Sequence, residues 1–223
     1  MRAFMNPKRR WGTPDGPDED WIRPHVLWLP QHLPEVTAYF DRARAVAAQY
    51  PDVIAPVATD DLHMTIQKIN ARTAHGTRVT AAHLEHAAEA VREALARFDP
   101  FNIEIGPARA SGSAGIVDIW PGDDLDRLYR AVRTGLSATG LQLPPPQQRF
   151  WAHMSCGYGV QDTDTPELAA RSDRLASDLG RAVHPPTRTT ARVESLWLVW
   201  ERQHPDGPRY SFERLHELPL ARH

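Results

Sequence analysis

Apolar side chains recur every three to four residues in four parts of the chain, the spacing that places them on one face of an α-helix. The clearest stripe consists of Leu84, Ala88, Val91, Leu95 and Phe98. The helices predicted in this way cover residues 33–49, 80–98, 123–137 and 166–180. Thr80 and Thr165 stand where residues that cap a helix N-terminus are expected.

Shorter apolar runs between these helices, bounded by Gly and Pro, predict β-strands. They lie at residues 25–29, within 57–69, and at 101–105, 116–120, 150–160, 192–202 and 208–218. The last two are expected to pair across Pro205-Asp206-Gly207. A Gly- and Ser-rich segment at 110–115 is either a plain connection or a flexible lip over a cleft. Strands and helices in this mixture indicate an α+β protein.

Two of the predicted strands carry the same four-residue pattern of histidine, apolar residue, hydroxyl residue and apolar residue. The two copies are His63-Met64-Thr65-Ile66 and His153-Met154-Ser155-Cys156. Chance would supply only about 0.2 copies in a chain of this composition. On an extended strand the histidine and the hydroxyl residue share one face, and the two apolar residues face a core. Each strand therefore presents one imidazole beside one hydroxyl.

The two histidines are 90 residues apart, close to half of the chain. An internal repeat at that distance would relate two α+β lobes by an approximate two-fold axis and bring the motifs face to face. Two titratable bases and two neutral hydrogen-bond donors would then meet in one cleft. Such a cleft is suited to general acid and base chemistry on a phosphate ester.

Composition narrows the class of protein. The chain has 223 residues, of which 41% are hydrophobic and 24% charged, which is typical of a globular domain or two closely packed lobes. A formal net charge of −2 provides no bulk field that would attract nucleic acid. The only cysteine, Cys156, excludes an internal disulfide and is expected in the core. Neither a membrane span nor a secretory signal is found, so a cytoplasmic location is expected.

The two motifs resemble the signature of the 2H phosphoesterase superfamily. The chain is most similar to the bacterial group labelled 2′-5′ RNA ligase or cyclic phosphodiesterase, in which Phe150 and Tyr210 also have counterparts. The resemblance implies one bilobal domain over residues 24–220, built from duplicated strand and helix units. Two antiparallel sheets would flank a central cleft, with the helices outside. Residues 1–23, rich in Pro, Gly and charge, are expected to form a partly irregular arm before this domain.

The resemblance also implies a phosphodiesterase that acts on 2′,3′-cyclic phosphates of nucleotides or RNA ends, as a monomer and without metal or cofactor. His63 and His153 would be the catalytic residues, and Thr65 and Ser155 would bind the phosphate. We assign His153 as the base that takes a proton from water and His63 as the acid that protonates the departing ribose oxygen. The near symmetry of the site makes these roles exchangeable.

The chain departs from this group around its second motif. Many relatives have an environment rich in Arg or Lys there, whereas Arg149 is the nearest basic residue here and Trp151 and Tyr158 flank the motif. This argues against binding of a long RNA and favours a nucleotide or a small cyclic phosphate as the substrate. Arg149, Trp151 and Tyr158 are candidate substrate contacts, although the two aromatic residues could equally pack in the core.

Three alternatives stay open at this stage. The histidines could hold a metal with Asp60 or Asp61, although two imidazoles fall short of the usual three protein ligands. The protein could be a binding module that recognises a nucleotide or RNA end without turning it over. It could also ligate RNA ends through a 2′-5′ linkage, which is the reverse of the same chemistry.

Overall fold

The computed structural model describes residues 1, 3, 22–161, 163, 165–182, 188–204 and 207–221. Most of the expected N-terminal arm, residues 2 and 4–21, lies outside this part of the chain. The described residues form strands and helices in the following order: β1 Ile22–Trp28, α1 Pro34–Ala47, β2 Ile54–Pro56, β3 Met64–Lys68, α2 Ala81–Leu95, β4 Phe101–Ala110, β5 Ala114–Trp120, α3 Gly122–Ser137, β6 His153–Gly159, α4 Pro166–Ala182, β7 Thr189–Val193, β8 Ser195–His204 and β9 Arg209–Pro219.

The strands form two antiparallel sheets, each covered by a pair of helices. The first sheet has the order β3-β1-β8-β9, and the second has the order β2-β6-β5-β4-β7. Helices α2 and α3 pack on the first sheet, and α1 and α4 pack on the second. We call these layers the first and the second lobe. The α+β prediction with two antiparallel sheets and outer helices is confirmed.

The two lobes do not correspond to the two halves of the chain. Motif strand β3 is followed by α2 and the β4–β5 hairpin, yet that hairpin joins the second sheet, beside β6. Motif strand β6 is followed by α4 and then by the β8–β9 hairpin, which joins the first sheet with β3. The predicted order of strand, helix and hairpin is therefore present twice. Each lobe nevertheless contains elements from both halves, which ties the lobes together.

Two strand predictions differ most from the structure in their bounds. The strand predicted at 192–202 is two strands, because β7 ends at Val193 in the second sheet and β8 starts at Ser195 in the first. Only Glu194 separates the two strands, so the apolar pattern shows no break. The strand predicted at 101–105 continues to Ala110, since the ladder with β5 absorbs Gly106 and Pro107 as an irregularity.

Helices α2 and α3 approach each other closely at Gly135. A Cβ atom there would lie 2.8 Å from the carbonyl oxygen of Ala90 and 2.9 Å from the Cα of Val91. Both neighbours are backbone atoms, which cannot rotate out of the way. The helix pair can therefore pack at this distance only with a residue that has no side chain at position 135.

Replacement of Gly135 by alanine is expected to lower the free energy of unfolding by about 1–3 kcal/mol, because the added methyl group forces the two helices apart. Urea denaturation measures this change. Gly112 provides the matched control, since a Cβ there would meet nothing within 4 Å. Equal stability of the Gly135→Ala and Gly112→Ala proteins would contradict the close approach of α2 and α3.

Candidate active site

The two motif histidines are held in the same way. His63 precedes β3 and His153 begins β6. The Nδ1 atom of His63 lies 2.8 Å from the carbonyl oxygen of Asp61, and that of His153 lies 3.0 Å from the carbonyl oxygen of Trp151. A carbonyl can only accept, so Nδ1 carries the proton in both rings. In the neutral rings Nε2 is therefore the atom free to accept a proton.

Both motif strands carry a β-bulge at the fourth residue of the motif. Thr65 pairs with Leu27 and Gln67 with Val26, which leaves Ile66 as an extra residue in β3. Correspondingly, Ser155 pairs with Ile116 and Gly157 with Gly115, which leaves Cys156 as the extra residue in β6. The two motifs therefore share a β-bulge at the same position as well as the same four residue types.

The bulges change which later residue shares the face of the histidine. Lys68 pairs with His25, two residues from the partner of Thr65, so Lys68 and Thr65 lie on one face of the first sheet. Tyr158 pairs with Ala114, two residues from the partner of Ser155, so Tyr158 and Ser155 lie on one face of the second. Strict alternation would have turned both residues away.

Lys68 is a functional candidate that sequence reasoning missed. Its positive charge lowers the pKa of both His63 and His153, so it acts on both motifs. Its side chain is exposed. The sequence does contain one indication of this role: Lys68 and Tyr158 occupy equivalent positions, each five residues after a motif histidine.

Aromatic rings surround His63. The ring of Phe212 lies 4.8 Å from the imidazole between ring centres, and that of Tyr210 lies 5.4 Å away. The pKa of His63 is lowered to about 4, chiefly by burial; the carbonyl of Asp61 acts to raise it, and the charges of His153 and Lys68 also act to lower it. His63 is therefore neutral near pH 7. Because the charge of His153 lowers the pKa of His63, the two imidazoles lie close enough to interact electrostatically.

His153 lies in a more polar environment. The ring of Trp151 stacks on it at 4.2 Å with an angle of 24° between the planes. Asp118 stands directly across the ladder and accepts a hydrogen bond of 3.3 Å from Trp151 Nε1. Burial lowers the pKa of His153, whereas the negative charge of Asp118 raises it. Of the two imidazoles, His153 thus has a carboxylate beside it and His63 does not.

Two tyrosines connect the motifs below the histidines. Tyr158 is 2% exposed, and its hydroxyl hydrogen-bonds with Ser155. Its ring lies 5.4 Å from that of Tyr210, which in turn contacts His63. Tyr158 is thus buried on the cleft side of its sheet, where it supports Ser155 from below.

Three other predicted residues, Arg149, Phe150 and Trp151, come just before the second motif in the chain. Phe150 is buried and stacks on Tyr129 with 5.0 Å between ring centres, so it belongs to the core. Arg149 is exposed and pairs with Asp123 at 3.2 Å. Trp151 is 49% exposed. His63, Thr65, His153 and Ser155 are each partly exposed.

A buried acid and a buried base lie on the face of the first sheet that carries Thr65. His25 Nδ1 is 3.8 Å from Glu201 Oε2, and both side chains are nearly inaccessible. Burial lowers the pKa of His25 to about 3 and raises that of Glu201 to about 8. Both groups are therefore neutral near pH 7. Lys68 lowers the pKa of Glu201, which shows that its charge also reaches this layer.

No group of three His, Cys, Asp or Glu side chains in the described part of the chain is arranged to hold a metal ion. Asp61, one of the carboxylates considered for that role, is buried and pairs with Arg209 at 3.2 Å. Cys156 is fully buried, as expected for a small core residue, and burial raises its pKa to about 12. Across the described helices, none is both long and apolar enough to span a membrane.

Comparisons with known proteins agree with this architecture. A model of the 2′-5′ RNA ligase superfamily matches residues 73–205, which include the second motif and leave out the first. The structure of TT0787 from Thermus thermophilus has a TM-score of 0.62 and 16% identity, and covers 90% of this chain and 100% of its own. No curated protein matches the sequence.

Structures of Escherichia coli LigT are also similar. The complex with NADP+ has a TM-score of 0.57 and 16% identity, over 91% of this chain and 99% of LigT. The complex with 3′-AMP has a TM-score of 0.59 and 15% identity, over 90% of this chain and 98% of LigT. At such identities the likeness shows a shared fold.

Proposed function

Because the chain belongs to the 2′-5′ RNA ligase superfamily, we propose that it is a metal-independent phosphodiesterase that opens 2′,3′-cyclic phosphates of nucleotides or RNA ends. One observation carries the proposal: two histidines from different sheets are both anchored through Nδ1 and are within electrostatic reach of each other. With a phosphate bound between them, one ring could take a proton from the attacking water while the other gives a proton to the departing ribose oxygen. LigT was crystallised with 3′-AMP and with NADP+, which supports a nucleotide as the ligand.

The environments of the two rings support an assignment of roles opposite to the one made from the sequence. His63, with a pKa of about 4 and aromatic neighbours, stays neutral and would take a proton from the attacking water. Burial lowers the pKa of His153, but Asp118 and the charge of a bound phosphate each act to raise it, so His153 would carry a proton to the departing ribose oxygen. In the reverse direction the two roles exchange.

Three further groups would stabilise the charge on the phosphate. The hydroxyls of Thr65 and Ser155 stand beside the histidines and would donate hydrogen bonds to the non-bridging oxygens. Lys68 would add a positive charge at the same place, since it already acts on both imidazoles. Because all these groups are protein side chains, the proposal needs neither metal nor cofactor. A monomer in the cytoplasm fits the single buried cysteine.

Incubation with 2′,3′-cyclic nucleotides in the presence of EDTA tests the proposal. The expected result is hydrolysis to a single monoester, either 2′ or 3′, which chromatography identifies. Tight binding without any product would indicate the binding module instead. Joining of an RNA 5′-hydroxyl end to a cyclic-phosphate end in preference to hydrolysis would indicate the ligase. An activity that EDTA removes and added metal restores would refute the mechanism.

A further inference from the structure

Two large apolar side chains are left exposed in the described part of the molecule. Trp120 is 47% exposed and Trp151 is 49% exposed. Exposed tryptophans near a cleft are a typical feature of binding surfaces, since they offer a rigid apolar face at little entropic cost. The proposed mechanism uses neither indole ring.

The register of β5 and β6 brings these two tryptophans together. The ladder pairs Asp118 with His153, and it continues with a hydrogen bond of 3.2 Å from the Ile119 N–H to the Ala152 carbonyl. The next position therefore places Trp120 opposite Trp151, at a pair without mutual backbone hydrogen bonds, where side chains stand closest. Both rings start from the face of the sheet that carries His153.

Two guanidinium groups lie near this pair of tryptophans. Arg109 lies 5.7 Å from the centre of the Trp151 ring and forms hydrogen bonds of 2.8 Å and 3.1 Å with Asp118. Arg149 Nη2 lies 3.2 Å from the position of a Cβ at Gly122, two residues after Trp120 in the chain. Its side chain is 72% exposed and pairs with Asp123. Each guanidinium has further N–H donors besides those used by its carboxylate.

Indole faces next to guanidinium groups match the chemistry of a single-stranded nucleic acid, in which apolar bases alternate with phosphates. Trp151 stacks on His153, so a base on Trp151 would be the one attached to the reacting ribose. Trp120 lies across the ladder on the neighbouring strand, where it could take a second base. A mononucleotide would cover only one of the two rings.

We propose that Trp120 and Trp151 form a subsite for two successive bases, so that the preferred substrate is a cyclic-phosphate end of at least two nucleotides. This inference rests on the proposed function and specifies its substrate. Trp151 holds the terminal base beside the phosphate, and Trp120 holds the base before it. Arg149 is placed to meet the phosphate on the 5′ side.

Steady-state kinetics with a 2′,3′-cyclic mononucleotide and with a dinucleotide ending in the same nucleotide tests the subsite. The wild type should show a kcat/KM for the dinucleotide about 10-fold higher. Trp120→Ala should remove this advantage by raising the KM for the dinucleotide, while kcat/KM for the mononucleotide stays within about 2-fold of the wild type. Trp120→Phe, which keeps an aromatic ring, should retain the advantage. A dinucleotide without the 5′ base should behave like the mononucleotide in all three proteins.

The proposal is overturned if Trp120→Ala affects both substrates equally or neither, or if the dinucleotide without its 5′ base keeps the advantage. Binding of a 3′-phosphorylated dinucleotide, measured by quenching of tryptophan fluorescence, tests the subsite independently of hydrolysis. It therefore separates failure of the subsite from failure of the proposed function. If no cyclic phosphate is hydrolysed but Trp120→Ala still weakens dinucleotide binding about 10-fold, the subsite stands and the hydrolase does not. Equal binding by both proteins would refute the subsite.

Discussion

Replacement of His63 or His153 by alanine is expected to lower kcat for a 2′,3′-cyclic nucleotide by about 10²- to 10⁴-fold, the usual contribution of a positioned acid or base. Each variant loses one of the two proton transfers. Single-turnover kinetics isolates the chemical step. His86→Ala, on the exposed face of α2, is the matched control and should keep wild-type activity.

The double variant His63→Ala/His153→Ala should be about as inactive as the poorer single variant. Two groups that act on one phosphate fail together, so their effects do not add. Losses that multiply would mean that the histidines act independently, and a single variant with activity within about 3-fold of the wild type would remove that histidine from the mechanism.

Replacement of Lys68 by methionine is expected to lower kcat/KM by about 10- to 100-fold, because the bound phosphate loses a positive charge that acts on both motifs. The pH profile should change as well. Lys68 lowers the pKa of both imidazoles, so its removal raises both pKa values in the free protein. The base is active only when neutral, and the acidic limb of the kcat/KM profile therefore moves to higher pH.

Activity of Lys68→Met at pH 5 should consequently fall by more than activity at pH 8. Lys68→Arg keeps the charge and should retain the position of the acidic limb, which separates the electrostatic effect from a loss of packing. If the profiles of Lys68→Met and the wild type coincide in shape and position, Lys68 does not act on the histidines as described.

The helices and the motif strands could be predicted because each follows a local period. The stripe from Leu84 to Phe98 defines α2 to within three residues, and the pattern of His153-Met154-Ser155-Cys156 defines which side chains of β6 face the cleft. Burial of Met154 and Cys156 beside partly exposed His153 and Ser155 reflects simple alternation. These features depend on neighbours in the chain alone.

Such local patterns do not predict which strands pair when they are distant in the sequence. Nothing local indicates that the β4–β5 hairpin pairs with β6, or that the chain changes sheets at Glu194. The bulges at Ile66 and Cys156 are defined by partner strands, and alternation alone therefore turned Lys68 away from the cleft. Trp120 was missed for the same reason, since its position opposite Trp151 follows from the register of two strands.

The central claim is that one phosphate contacts both histidines. Titration of the protein with 3′-AMP, followed by NMR of the imidazole Cε1–H resonances, tests it most directly, with His63→Ala and His153→Ala providing the assignments. One ligand should shift both resonances along the same binding curve and raise the pKa of both rings, because the negative charge of the phosphate favours their protonated forms. A shift of only one ring, or two curves with different Kd values, would contradict a shared phosphate site.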